Sequence, residues 1–321
     1  MTETREELHF RSGDGSCAAW LLRPHPTNSI ECPVIVMAHG LTATREDGLL
    51  PFAERFAEAG IATLAFDYRG FGDSSGGEPQ VLNIKRELED VESALAFART
   101  LEGIDPRRVA LWGSSFGAGL ALEAGSKTNS LACVIAQVPF TDGMSSVRRA
   151  RPATAAKLAG RAFADLRAHR AGAPRVMVPA AGAPGSVAVM TSPDALSGFE
   201  SIVPKGSRHL NTVAAGVLLP ALGWRPGLKA SSIRCPLLVQ SAMNDEITPD
   251  RSAAMTAARA PLGELRRYDC GHFDVYKPPW FGSVVADQVE FLKRNLISSS
   301  STARQPAAQG SAAATSSAQD A

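Results

Sequence analysis

The sequence predicts an α/β protein built on a doubly wound, mostly parallel sheet, and three observations carry that reading. Short continuous apolar runs at 34–38, 61–66, 109–112 and 131–138 alternate with longer stretches of helical spacing. Unbroken apolar runs of this length mark strands buried on both faces, as the strands of a parallel sheet are. Second, the run ending at Trp112 passes straight into Gly113-Ser-Ser115-Phe-Gly117 and then into a small-residue helix. Third, glycine-bearing loops follow several strands directly, at one edge of such a sheet.

Taken in order, residues 7–22 read as two strands around a Ser-Gly-Asp-Gly turn at 12–15. Pro24, Pro26 and Pro33 punctuate the connection to the strand at 34–38, which runs into His39-Gly40-Leu41-Thr42. Residues 45–59 carry Leu49, Phe52 and Phe56 at helical spacing, with Gly60 where a C-cap glycine belongs. The strand at 61–66 leads into a glycine-rich loop over 67–76, and 83–101 form an amphipathic helix with Leu88, Val91, Leu95 and Ala98 on one face. Asp105-Pro106 is expected to break the chain before the strand that carries Ser115.

After the strand at 131–138 the alternation fails from 141 to 228, which reads as a helical insertion covering the site. It resumes with a strand at 235–241, a helix near 250–260, a short strand around 265–268 and a last helix over 281–296. Residues 1–140 and 229–297 thus form the core and 141–228 a cap. Residues 298–321 lack aromatic and branched aliphatic side chains and read as a disordered Ser/Ala-rich tail, having nothing to bury against the entropy of ordering.

A chain of 321 residues, 45% hydrophobic, can bury one large core with an insertion. Its net charge of +1 points to neither nucleic acid nor an anionic membrane surface. No apolar run approaches the roughly 20 residues that span a bilayer, and the charged N-terminus reads as carrying no secretory signal. Cysteines 17, 32, 133, 235 and 270 fit neither a disulfide framework nor a zinc spacing and suggest reduced thiols in a cytoplasmic protein. Cys270 stands two residues from a candidate catalytic histidine.

The chemistry centres on Ser115. A glycine before and after lets strand and helix pass close beside a serine held in a strained turn, the geometry of a nucleophile elbow. A serine hydroxyl needs a base, and the base an orienting acid. Of six histidines, at 9, 25, 39, 169, 209 and 272, His272 alone follows a late strand in a glycine-flanked loop, so it is the expected base. Asp245, just beyond the strand at 235–241, is the expected acid; Glu246 and Asp250 are neighbours that could be misassigned for it, and Asp142, at the end of the previous strand, is a substitute. The oxyanion donors are expected to be the backbone N–H groups of Phe116, after the nucleophile, and Leu41, after the first parallel strand. His39 is expected to be a structural hydrogen bonder.

These motifs, His39-Gly40, the 67–76 loop, the Ser115 elbow, Asp245 and Gly271-His272, stand in the order found in the α/β-hydrolase superfamily, which the chain resembles over 34–296. It is similar to the serine hydrolases with a helical cap after the sixth strand, the dienelactone-hydrolase-like or Xaa-Pro-peptidase-like group, and to the related fungal polyketide transferases. Ser115 departs from the cysteine of true dienelactone hydrolases and from the aspartate of dehalogenases and epoxide hydrolases. The propeller of prolyl-type peptidases is missing. The resemblance implies that Arg69 and Asp73 brace the site rather than react.

The expected activity is hydrolysis of a carboxylic ester or thioester through an acyl-serine, on a small-molecule substrate, with no metal or organic cofactor implied. An acyltransferase would use the same residues, and a non-catalytic ligand-binding protein on this fold is the reading from another class. Residues 141–180 carry eight Lys/Arg (148, 149, 151, 157, 161, 167, 170 and 175) against Asp142 and Asp165. This stretch reads either as a solvated helix face or as a landing site for an acidic substrate or the phosphates of a thioester carrier. Phe163, Phe199, Leu218, Leu219 and Trp224 either line an acyl pocket or form the cap's own core.

Overall fold

A computed structural model describes residues 5–25, 31–147 and 152–297. The tail at 298–321 and the basic positions Arg148, Arg149 and Arg151 lie outside the described residues. The chain opens with a hairpin, β1 (Arg5–Ser12) and β2 (Gly15–Leu22), turning at Gly13-Asp14. Next come β3 (Cys32–Ala38), α1 (Leu50–Glu58), β4 (Ala62–Phe66), α2 (Ile84–Ala98), β5 (Ile104–Ser114), α3 (Phe116–Lys127) and β6 (Cys133–Gln137). The later core elements are β9 (Leu237–Ala242), α8 (Asp250–Arg259), β10 (Gly263–Tyr268) and α9 (Phe281–Leu292). Eight strands form one sheet in the order β1-β2-β4-β3-β5-β6-β9-β10. Pairing is antiparallel at β1–β2–β4 and parallel from β4 through to β10.

Alternation along the strands feeds two cores, because successive side chains leave opposite faces. Val34, Val36, Val109 and Leu111 pack with Leu88, Val91 and Leu95 of α2 and Leu120 of α3. Ile35, Met37, Ala110 and Trp112 pack with Phe52 and Phe56 of α1 and Val284, Val285 and Phe291 of α9. Asn83 caps α2 by accepting from the Lys85 and Arg86 amides. Gly60 closes α1 at φ +86°, where a Cβ would be strained.

Two expectations need correction. Asp105-Pro106 does not precede β5 but lies inside it, where the register against β3 shifts between Cys32 and Val34. Such a shift leaves the Pro106 position without a ladder bond to lose. The Asp105 carboxylate fills the gap by accepting from the Arg107 amide and from Arg108 Nε. The stretch after β6 is also not wholly helical. Between α5 (Pro152–Arg170), α6 (Ala195–Ile202) and α7 (Leu218–Gly223) it holds a two-stranded ribbon, β7 (Met177–Val178) with β8 (Val213–Ala214). Strands of two residues carry no readable period. The ribbon is anchored by Asp165, 0% exposed, which accepts from Arg175 and from the Val176 and Gly216 amides. Beside it, Lys157, Arg161, Arg167 and Arg170 face solvent.

Candidate active site

Ser115 sits between β5 and α3 at φ +54°, ψ −117°, a region a residue with a Cβ enters only under constraint. The neighbouring glycines supply that constraint. A Cβ on Gly113 would fall 2.3 Å from the Gly117 carbonyl oxygen, and one on Gly117 would fall 2.3 Å from the His39 carbonyl oxygen. The elbow is also held by hydrogen bonds, from the Ser115 amide to Gln137 O at 2.9 Å and from the Phe140 amide to Ser115 O at 2.9 Å.

His272, on the loop after β10, lies with Nε2 3.1 Å from Ser115 Oγ. Its Nδ1 is 2.6 Å from Asp245 Oδ2, and both side chains are almost fully buried. Asp245 Oδ1 accepts from the Ile247 and Thr248 amides, each at 2.7 Å. The other candidate acids lie elsewhere: Asp250 meets Ser241 and Arg267, Asp142 meets Arg225, and Glu246 is exposed. Thr248, which the sequence did not single out, places its hydroxyl 2.7 Å from Asp245 Oδ2 and 3.0 Å from the Val138 carbonyl. It thereby ties the acid's loop to the end of β6. Cys270 is buried, and desolvation beside Asp274 and Asp245 pushes its thiol up to about 12, so it stays protonated and inert.

The two expected oxyanion donors belong to turns that pack against each other. Phe116 opens α3, where an N–H has no intrahelical acceptor. Gly40 lies against Ser115, since a Cβ there would stand 3.4 Å from Ser115 Cβ. Neither the Leu41 nor the Phe116 amide is taken up by a turn, loop or cap bond among the described residues. His39 orients the Leu41 amide. Its Nδ1 lies 3.0 Å from Gly40 O, which also accepts from the Ala43 amide, so the Gly40–Leu41 peptide plane is fixed and its N–H points away from the ring. Burial pushes the His39 pKa down to about 4, leaving a neutral ring that donates at Nδ1 and faces the Tyr68 amide at Nε2.

Arg69 and Asp73 do not touch this centre. Arg69 is buried against Asp90, Glu89 and Asp14, tying the 67–76 loop to α2 and the hairpin. Asp73 pairs with Arg45 and Arg208. Two apolar groups flank the elbow. The rings of Phe116, Phe140 and Trp224 lie with centroids 4.9–5.5 Å apart. Ala43, Met190, Phe199 and Phe273 form the other group, with Leu41 and Ile247 against it. Of the candidate cap aromatics Phe163 is 59% exposed and belongs to neither.

A family model described as serine aminopeptidase, S33, matches residues 31–189. The quorum-quenching protein AidA of Acinetobacter baumannii is 45% identical over 288 residues, covering 90% of this chain and 94% of that protein. The chain belongs to the α/β-hydrolase superfamily. A second relative, the polyketide transferase ATR5 of Stachybotrys chlorohalonatus, is 26% identical over 91% of this chain and 98% of its own. The crystal structure of the α/β-hydrolase GrgF from a Penicillium species superposes with a TM-score of 0.76 at 22% identity, over 91% of this chain and 99% of that one. As an α/β-hydrolase with such relatives, this chain is an enzyme acting on ester or related bonds.

Proposed function

We propose that the chain is a serine hydrolase that cleaves a carboxylic ester or thioester through an acyl-serine intermediate. The observation that carries this is the unbroken chain Ser115 Oγ, His272 Nε2, His272 Nδ1, Asp245 Oδ2, with the serine in its strained turn. With Nδ1–H donated to Asp245, Nε2 holds the lone pair that takes the Ser115 proton as Oγ attacks the carbonyl carbon. The Leu41 and Phe116 amides receive the developing oxyanion. Collapse expels the alcohol or thiol, which leaves with the proton that His272 took from Ser115, and water repeats the sequence to release the acid. The flanking apolar clusters favour a substrate with an apolar acyl part. The quorum-quenching relative makes small signalling molecules the first substrates to try. Residues 141–228 serve in this reading as a cap. The five unpaired cysteines favour a reducing, cytoplasmic setting.

The test is labelling with a fluorophosphonate probe. The intact chain is expected to label, and Ser115→Ala and His272→Ala to lose labelling by at least ~100-fold. An intact, folded chain that fails to label would sink the reading. The polyketide transferase relative favours a second reading, transfer of the acyl group to an alcohol or amine. Product analysis with and without such acceptors separates the two.

A further inference from the structure

Beneath the elbow lies a polar network that the proposed chemistry does not use. Ser114, Gln137, Gln240 and Gln288 are each 0% exposed, in the middle of the sheet and under α9. Their donors and acceptors match throughout. Gln288 Nε2 donates to Gln137 Oε1 at 2.7 Å and to Gln240 Oε1, while Gln288 Oε1 accepts from Trp112 Nε1 at 3.3 Å. Gln240 Nε2 donates to the Tyr268 hydroxyl at 2.6 Å and to Val284 O at 2.9 Å, and Tyr268 passes its proton toward Asp287 at 2.6 Å. Gln137 Nε2 donates to Ser114 Oγ at 3.1 Å, and Ser114 Oγ is hydrogen-bonded to the Tyr276 hydroxyl.

Burying three amides costs free energy unless every group is paired, and a fully paired network holds its members in one geometry. Its ends lie on the segments that carry Ser115 and His272. Ser114 immediately precedes Ser115, and the backbone oxygen of Gln137 takes the Ser115 amide. Tyr276 stands four residues after His272, on the same loop. Its ring is braced from the far side by Phe52, with centroids 6.0 Å apart.

Resting on the serine-hydrolase reading above, we propose that Tyr276 is a positioning residue, whose bond to Ser114 clamps the His272 loop to the strand carrying the nucleophile and sets the Nε2 to Oγ distance. The bond crosses from the base's loop to the nucleophile's strand without touching substrate. Its loss therefore lowers the reaction rate and leaves substrate binding alone.

The experiment compares the wild-type chain with Tyr276→Phe, Ser114→Ala and the double variant. It reads the fluorophosphonate labelling rate, kcat and KM on an ester the wild type turns over, the pH profile and the melting temperature. Tyr276→Phe and Ser114→Ala are each expected to cut labelling and kcat about ten-fold or more, since small misplacements of reacting groups are that expensive. KM and the profile's midpoint stay put, and the double variant loses no more than either single one. A folded Tyr276→Phe chain that labels at the wild-type rate overturns the proposal, as do losses that multiply in the double variant. Should Tyr276→Phe not fold, a folded Ser114→Ala with full labelling overturns it equally. Wild-type labelling beside an unchanged Tyr276→Phe rate sinks the Tyr276 clamp alone, whereas an unlabelled wild type sinks both.

Discussion

His39 shows how one residue can serve an active site without reacting in it. Its ring is buried and neutral, with a pKa near 4 against an ordinary 6.5, so between those values the unfolded chain binds a proton that the folded chain refuses. Stability is therefore full above about pH 6.5 and falls as pH drops toward 4, by up to about 3 kcal/mol from this group. The charges of Asp47, His209 and Arg45 also act on this ring, so the informative comparison is with His39→Asn, which keeps an amide donor near Nδ1 but does not titrate. Urea midpoints taken from pH 7 to 4 are expected to fall less steeply in the variant, and equal slopes would refute the assignment. The residues of the proposed triad are readable in the sequence because the elbow demands glycine at 113 and 117, and because His272 and Asp245 each follow a strand. Thr248 and Tyr276 were not legible. A threonine or tyrosine in a loop carries no spacing signature, and their partners, Val138 and Ser114, lie 110 and 162 residues away.

At the scale of elements, the site depends on α3 starting hard against the end of β3. Gly117 is where the two meet, since a Cβ there would stand 2.3 Å from His39 O and 2.4 Å from Ala38 O, both backbone atoms that cannot swing aside. Helix propensity alone would make Gly117→Ala stabilising by up to ~1 kcal/mol. The contact reverses the sign, and a loss of about 2–4 kcal/mol is expected from overpacking. Lifting α3 also shifts the Phe116 amide relative to the Gly40–Leu41 turn, so labelling falls with stability. Denaturant unfolding reads the sign, and a more stable variant would show that strand and helix are less tightly apposed. The same physics explains which elements the sequence revealed. Strands buried on both faces, such as β3, are apolar along nearly their whole length and stand out. Strand β10, Gly-Glu-Leu-Arg-Arg-Tyr, lies at the sheet edge with half-exposed positions, so its pattern is weak.

Across the whole molecule, the stretch between β6 and β9 is held to the core in part through Asp47 and Asp73. Residues 207–209 reach the loop that follows the Leu41 turn: Ser207 Oγ donates to Asp47 Oδ1 at 3.0 Å, His209 Nδ1 lies 3.3 Å from Asp47 Oδ2, and Arg208 pairs with Asp73. These contacts are unequal. The Arg208 side chain is 68% exposed, and such a pair contributes about 0–1 kcal/mol, so Arg208→Ala should leave the melting temperature nearly unchanged. Asp47 is buried, and its carboxylate also accepts from the Thr44 amide at 2.7 Å. Removing it strands several buried donors at once, and Asp47→Ala is expected to destabilise the chain by about 2–4 kcal/mol. The effect should extend beyond stability, because Phe199 packs on His209, and Phe199 stacks on Phe273 beside His272. Loosening residues 207–209 releases that aromatic column and opens the approach to Ser115. In Asp47→Ala, labelling by a bulky fluorophosphonate should therefore gain on labelling by a small one, with Arg208→Ala as the control in which the ratio holds. An unchanged ratio in a folded Asp47→Ala chain would mean that this attachment stabilises the fold without governing access to the serine.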